Sequence, residues 1–178
     1  SCPVRRRARG ALGVSAVVVA REDPRADDIV ALLEAHLALM RRISPPGHVH
    51  ALDVDALAAP DVTFLSARAD TSLLGVGALK QLDDRRAEIK SMHIAAPARG
   101  RGVARRLVDA LIALAIERRS NWIGLETGTQ PEFEPARSLY RSFGFEPCQP
   151  FDDYTTNPFS TCMSIGLSGD GQVVATGS

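Results

Sequence analysis

The 178-residue chain predicts one α+β domain, a sheet flanked by helices. Three observations carry that prediction. Short segments rich in β-branched residues alternate with longer ones whose apolar residues recur at helical spacing. Two of the strand segments, 62–68 and 73–82, flank the turn Asp70-Thr71-Ser72 and read as a hairpin. A strand, a basic glycine turn and a helix follow one another directly over 88–107.

Composition narrows the class. Hydrophobic content of 45% with 24% charged residues is that of a globular protein with a sizeable core. Lys and Arg together number 21, as do Asp and Glu, so no general pull toward nucleic acid is expected. Cys2, Cys148 and Cys162 are widely spaced and form no Cys-x-x-Cys. That pattern suits reduced thiols in a cytoplasm better than a disulfide frame or a zinc site. No apolar run approaches membrane-spanning length, so no membrane partner is expected.

Residues 1–12 read as a basic, poorly ordered extension. Arg5-Arg6-Arg7 before the apolar stretch 11–20 superficially resembles a signal peptide, but the β-branched residues of Val14–Val19 favour a first strand. Asp23 is the expected N-cap of a first helix with Pro24 at its first position. Ile29, Leu33, Leu37 and Met40 line its apolar side, and Arg41-Arg42 suit its C-terminus. A Pro/Gly loop leads to His48 and His50, then to a short helix over 54–59. In the second hairpin strand, Gly75 and Gly77 signal a bulge or the close approach of another group. Further strands are expected at 89–94, 122–127, 145–148 and 161–167. A short helix spans 135–143 with Gly144 as its cap. Residues 168–178 read as a flexible Gly/Ser-rich tail, leaving 13–167 as the folded domain.

In the strand–turn–helix unit, Pro97 ends the strand and Arg99-Gly100-Arg101-Gly102 forms the turn. Val103, Leu107, Val108, Leu111 and Leu114 then make one apolar helix face. The turn therefore sits at a helix N-terminus, where unpaired amides and the positive dipole end suit an anion. Gly100 and Gly102 lack a Cβ, so a phosphate can approach the backbone. The Walker pattern is absent. A Rossmann turn needs a small third residue where Arg105 stands. What remains is Arg-x-x-Gly-x-Ala: Arg99, Gly102 and Ala104.

This resembles the pyrophosphate-binding turn of the GNAT superfamily, the acetyl-CoA-dependent N-acetyltransferases. A second motif is similar too: Ala136-Arg137-Ser138-Leu139-Tyr140, then Gly144-Phe145, matches that family's Ala-x-x-Leu-Tyr-x-x-x-Gly-Phe. The resemblance covers 14–167. One departure is Phe133, where the family often carries an Asn that touches the cofactor. The resemblance implies a mixed, mostly antiparallel central sheet of six to seven strands flanked by helices. It implies acyl-CoA bound where the fourth and fifth strands splay, with no metal. The reaction implied is direct transfer of acetyl from acetyl-CoA to a primary amine of a small molecule. Rival readings are a protein or peptide acetyltransferase and a non-catalytic CoA-binding domain. A homodimer is left open.

By the same resemblance, backbone groups of Met92, His93 and Ile94 pair with pantetheine. The amides of Arg99, Gly100, Arg101, Gly102, Val103 and Ala104 hold pyrophosphate. Glu88 lies eleven positions before Arg99, where histone acetyltransferases of the superfamily carry a glutamate base. Strand alternation puts Glu88, Lys90, Met92 and Ile94 on one face. Glu126, His93 and a water chain are rivals for the base, and the plain alternative is that Glu88 pairs with Lys90 or with a neighbouring strand. Tyr140 matches the tyrosine that protonates the leaving thiolate in many members; the alternative is a core tyrosine. Candidate acceptor contacts are Arg41, Arg42, His48, His50, Lys90, Asp153 and Tyr154.

Overall fold

The expected order of strands and helices is kept among the described residues, 15–47 and 52–175 of the computed structural model. The elements are β1 (Val17–Arg21), α1 (Asp27–Ile43), α2 (Val54–Leu57), β2 (Val62–Ala69), β3 (Ser72–Gln81), β4 (Arg86–Ile94), α3 (Val103–Glu117), β5 (Trp122–Gly128), α4 (Glu134–Ser142), β6 (Glu146–Cys148), β7 (Ser160–Leu167) and β8 (Val173–Val174). They form one sheet in the order β1-β2-β3-β4-β5-β7-β6, with β8 on the free part of β7. Neighbours run antiparallel except β4 and β5, which are parallel. The α3 crossover makes that parallel pair possible.

Each face of the sheet buries one helix layer. On one side Ile29 and Leu33 of α1 pack with Leu57, Phe64, Val76 and Ala78. On the other, Leu107, Leu111 and Tyr140 pack against Leu79, Ala87, Ile89 and Leu125. Full burial of one such leucine stabilises the fold by about 1.5–3 kcal/mol. Arg68 on β2 ties α1 down: it meets Asp28 at 2.7 Å and Glu22 at 2.6 Å.

Three departures from expectation involve more than a shift along an element already in place. α1 starts at Asp27, not at Pro24, because Asp23 is spent in a turn. Its Oδ1 accepts from the Arg25 amide at 2.9 Å and its carbonyl from that of Ala26 at 3.2 Å. The first strand is Val17–Arg21, set by pairing with Leu65–Ala69 rather than by its own composition. Residues 1–14, including Val14 and the expected 1–12 extension, lie outside the described residues. The expected tail folds back: Ser168 Oγ accepts from the Gln172 amide at 3.0 Å, and β8 then pairs with Gly166 and Leu167. Its last residues, 176–178, again lie outside the described residues.

Candidate active site

The site begins where β4 leaves β5. The two pair only over Arg86–Ile89 against Trp122–Leu125. Beyond that, Glu126–Gly128 continue on β7 while Lys90–Ile94 continue on β3. On its β5 side, the outer half of β4 has no ladder partner. The expected opening between the fourth and fifth strands is present.

A bulge in β4 shapes that opening. Val76 faces His93 and Ala78 faces Lys90, so Gly77 opposes both Ser91 and Met92. Ser91 takes φ 56°, the left-handed conformation of an inserted residue. Simple alternation is therefore wrong past Lys90. One extra residue moves every later side chain to the other face. Met92 and Ile94 join Ala87 and Ile89 on the α3 side, and the His93 ring turns to the α1 side and stacks on His36. Gly75 and Gly77 make room: a Cβ would lie 2.7 Å from Ile94 Cδ1 at Gly75 and 2.6 Å from Met92 Sδ at Gly77.

The glycine turn has the shape of an anion cradle. Gly100 and Gly102 have φ of 74° and 80°, and a Cβ on either would meet nothing within 4 Å. Val103 is buried and anchors α3, while Arg99 to Gly102 are exposed. The first helical bond runs from the Arg106 amide to the Gly102 carbonyl at 3.2 Å. The amides of Val103, Ala104 and Arg105 are therefore free of helix partners. Arg105 turns away to Ser142 Oγ at 2.8 Å, its guanidinium 4.9 Å above the Phe143 ring. Free amides at a helix N-terminus beside the exposed Arg99 and Arg101 are the donors and charge an anion requires.

Glu88 is 1% exposed, on the α1 face at the base of the opening. Its Oε1 accepts a short hydrogen bond from the Tyr154 hydroxyl. Its Oε2 is buried with no hydrogen-bond partner among the described residues. Burial pushes the carboxyl above its ordinary range. The Tyr154 bond, Lys90 and Lys80 pull it down, and Asp152 adds to the rise.

Tyr140 stands on the opposite, α3 face. It is 6% exposed in the apolar cluster, edge-on to Phe145 with centroids 5.8 Å apart. Burial pushes its phenol up to about 12, so it is protonated at neutral pH.

The family model described as acetyltransferase (GNAT) family matches residues 29–145. This chain belongs to the GNAT family. It is 45% identical over 139 residues to the uncharacterized N-acetyltransferase YsnE of Bacillus subtilis, covering 78% of this chain and 92% of that protein. It is 34% identical over 153 residues to an IAA acetyltransferase of Azospirillum brasilense, covering 85% and 98%. In fold, it matches a GNAT acetyltransferase of Elizabethkingia anophelis with acetyl-CoA bound. The TM-score is 0.63 at 16% identity, covering 85% of this chain and 98% of that one. The protein is thus a GNAT acetyltransferase.

The remaining candidates sort by position. His93 is a poor base at neutral pH: burial, then His36, depresses it to about 3. Its partner His36, 3.6 Å away between centroids, is depressed to about 4 by burial and Arg99. Glu126 is exposed on β5, and Arg41, Arg42 and Asp153 are exposed as well. Lys90 is half-buried two positions beyond Glu88. His48 and His50 lie outside the described residues. Phe133 covers the end of β5, so close that a Cβ at Gly128 would lie 2.4 Å from its ring. Side-chain contacts of an asparagine there are replaced by an apolar surface in this GNAT chain. No group of three or more metal-ligating side chains occurs among the described residues. No helix among them is long and apolar enough to cross a membrane.

His36 carries no local mark in the sequence, because its contact with His93 spans 57 positions of chain. Tyr154 reads from the sequence only as an acceptor contact. The glycine at 124 was the available signal, since a Cβ there would lie 2.8 Å from Phe151, which carries Tyr154.

Proposed function

We propose that this GNAT acetyltransferase acetylates a primary amine of a small molecule by direct attack in a ternary complex. Glu88 is the base and Tyr140 the acid. The observation that best supports this is their burial on opposite faces of the sheet, a carboxyl with an unpartnered oxygen on one and a protonated phenol on the other. The amine approaches from the α1 face and gives a proton to Glu88 Oε2 as the N–C bond forms. The C–S bond breaks toward the α3 face, where the Tyr140 hydroxyl protonates the departing thiolate. Backbone groups of Met92, His93 and Ile94, unpaired toward β5, align the pantetheine arm. One of their amides can donate to the developing oxyanion. The amides of Arg99, Gly100, Arg101, Gly102, Val103 and Ala104 hold the pyrophosphate. Holding both reactants in place supplies much of the rate.

The test is free-thiol release from acetyl-CoA across a panel of small amines, amino acids and unstructured peptides. One relative is named IAA acetyltransferase, so IAA joins the panel. Turnover of small amines with none of the peptides is expected. Turnover of peptides alone would overturn the small-molecule reading.

A further inference from the structure

The loop 149–159, between β6 and β7, crosses the α1 face over Glu88. It is held at several points. Thr129 Oγ1 donates to the Pro158 carbonyl at 2.6 Å, and the Thr129 amide to that of Phe159 at 3.1 Å. Asn157 Oδ1 accepts from the Phe159 amide at 2.9 Å. Lys80 of β3 reaches Asp152 at 3.9 Å. Within the loop, Phe151 is buried and packs edge-on between Trp122, at 5.0 Å, and Tyr154, at 5.2 Å.

The seat for this stack is Gly124, the β5 residue in register with Glu88. A Cβ there would lie 2.3 Å from the Trp122 ring and 2.8 Å from Phe151. The missing side chain next to the carboxylate is therefore filled by the aromatic stack that delivers the Tyr154 hydroxyl to Glu88 Oε1. Tyr154 is itself half-buried, and burial and Glu88 both hold its phenol protonated.

We propose that Tyr154 is a positioning residue for the general base: it fixes the Glu88 carboxylate by Oε1 and so aims Oε2 at the acceptor amine. Tyr154 keeps its proton throughout; the amine proton goes to Oε2. This rests on Glu88 being the base. The other charged or titratable groups around the pair are Lys80 on β3, Lys90 on β4, Glu126 on β5, Cys162 on β7 and Asp152 in the loop. Tyr154→Phe alters none of these, so its effect on the pH profile reports the lost hydrogen bond.

The experiment is the pH dependence of kcat/KM for wild type, Tyr154→Phe, Glu88→Gln and the double variant, with the best amine of the panel. Loss of a charge-assisted bond to the ionised carboxylate should move the acidic limb up by about one pH unit. The plateau should fall about tenfold, and the acetyl-CoA thermal shift should stay at the wild-type value. In the Glu88→Gln background the same change should cost less than about twofold, since there is no base left to aim. An unmoved limb, or an equal loss in both backgrounds, overturns the proposal. If the Phe variant fails to fold, a fluorinated tyrosine at position 154, a stronger donor of the same shape, should move the limb down; no movement overturns the proposal. If Glu88→Gln itself keeps wild-type rates and limb, the base assignment fails instead, and the two failures are told apart.

Discussion

The two faces of the sheet at the β4–β5 opening solve different problems with the same physical lever. On the α1 face a carboxylate is buried among polar partners: a phenol, two lysines and an aspartate. On the α3 face a phenol is buried among hydrocarbon. Burial disfavours the charged form in both places and raises both groups. For Glu88, in the base role proposed for it, burial raises proton affinity while Tyr154, Lys90 and Lys80 oppose that rise. For Tyr140, in the acid role proposed for it, burial keeps the proton in place at neutral pH. A base needs its charged form tuned, so it needs neighbours; an acid already neutral needs only a dry wall. The bulge at Ser91 keeps the surroundings separate. It turns Met92 and Ile94 to the dry side and leaves Glu88, Lys90 and the neutral His93 on the polar one.

The largest expected effect comes from the cradle that serves both faces. Gly102→Asp adds bulk, a strained φ and negative charge at the proposed pyrophosphate site. Acetyl-CoA should raise the wild-type melting temperature, and in this variant the shift should vanish; a retained shift would remove the anion-site assignment. On the polar face, Glu88→Gln should lower kcat by about 10²–10⁴ in steady-state assays, the usual cost of losing a general base. On the dry face, Tyr140→Phe keeps ring and burial, so kcat and kcat/KM should fall together by about 10², the low end for a lost general acid, while acetyl-CoA affinity holds. Weaker acetyl-CoA binding with normal kcat would make the hydroxyl an anchor instead.

The smallest effect concerns stability. The folded Glu88 carboxyl holds its proton to higher pH than the unfolded one, which titrates near about 4.3. From there upward the unfolded state sheds its proton first, so Glu88 costs the fold stability as pH rises through its raised value. Glu88→Gln should therefore melt above wild type at pH 8 and converge with it below pH 4. A lower melting temperature at pH 8 would mean that the polar partners outweigh burial.

What was legible in the sequence follows from the range of the signal. Pro97, Gly100, Gly102 and the Val103–Leu114 periodicity are adjacent in the chain, so the cradle and its helix read directly. The Ala136–Phe145 motif is equally local, and Gly144 caps α4 with φ 97° as expected. The opening followed from the family likeness those two motifs carry. What failed is non-local. Ser91 carries no mark of a bulge; the mark lies across the sheet at Gly75 and Gly77, which admit the displaced side chains. The Tyr154–Glu88 bond joins positions 66 apart through a loop. The β8 hairpin depends on a Ser168–Gln172 turn in a segment whose composition suggests fraying.

The division of labour across the opening is tested most directly by the pH profile of kcat/KM in Glu88→Gln and Tyr140→Phe, measured beside wild type with one amine. The acidic limb should survive in Tyr140→Phe at reduced height and disappear in Glu88→Gln. A Glu88→Gln enzyme that keeps both the limb and a near-normal rate would contradict the account and move the base off the polar face of β4.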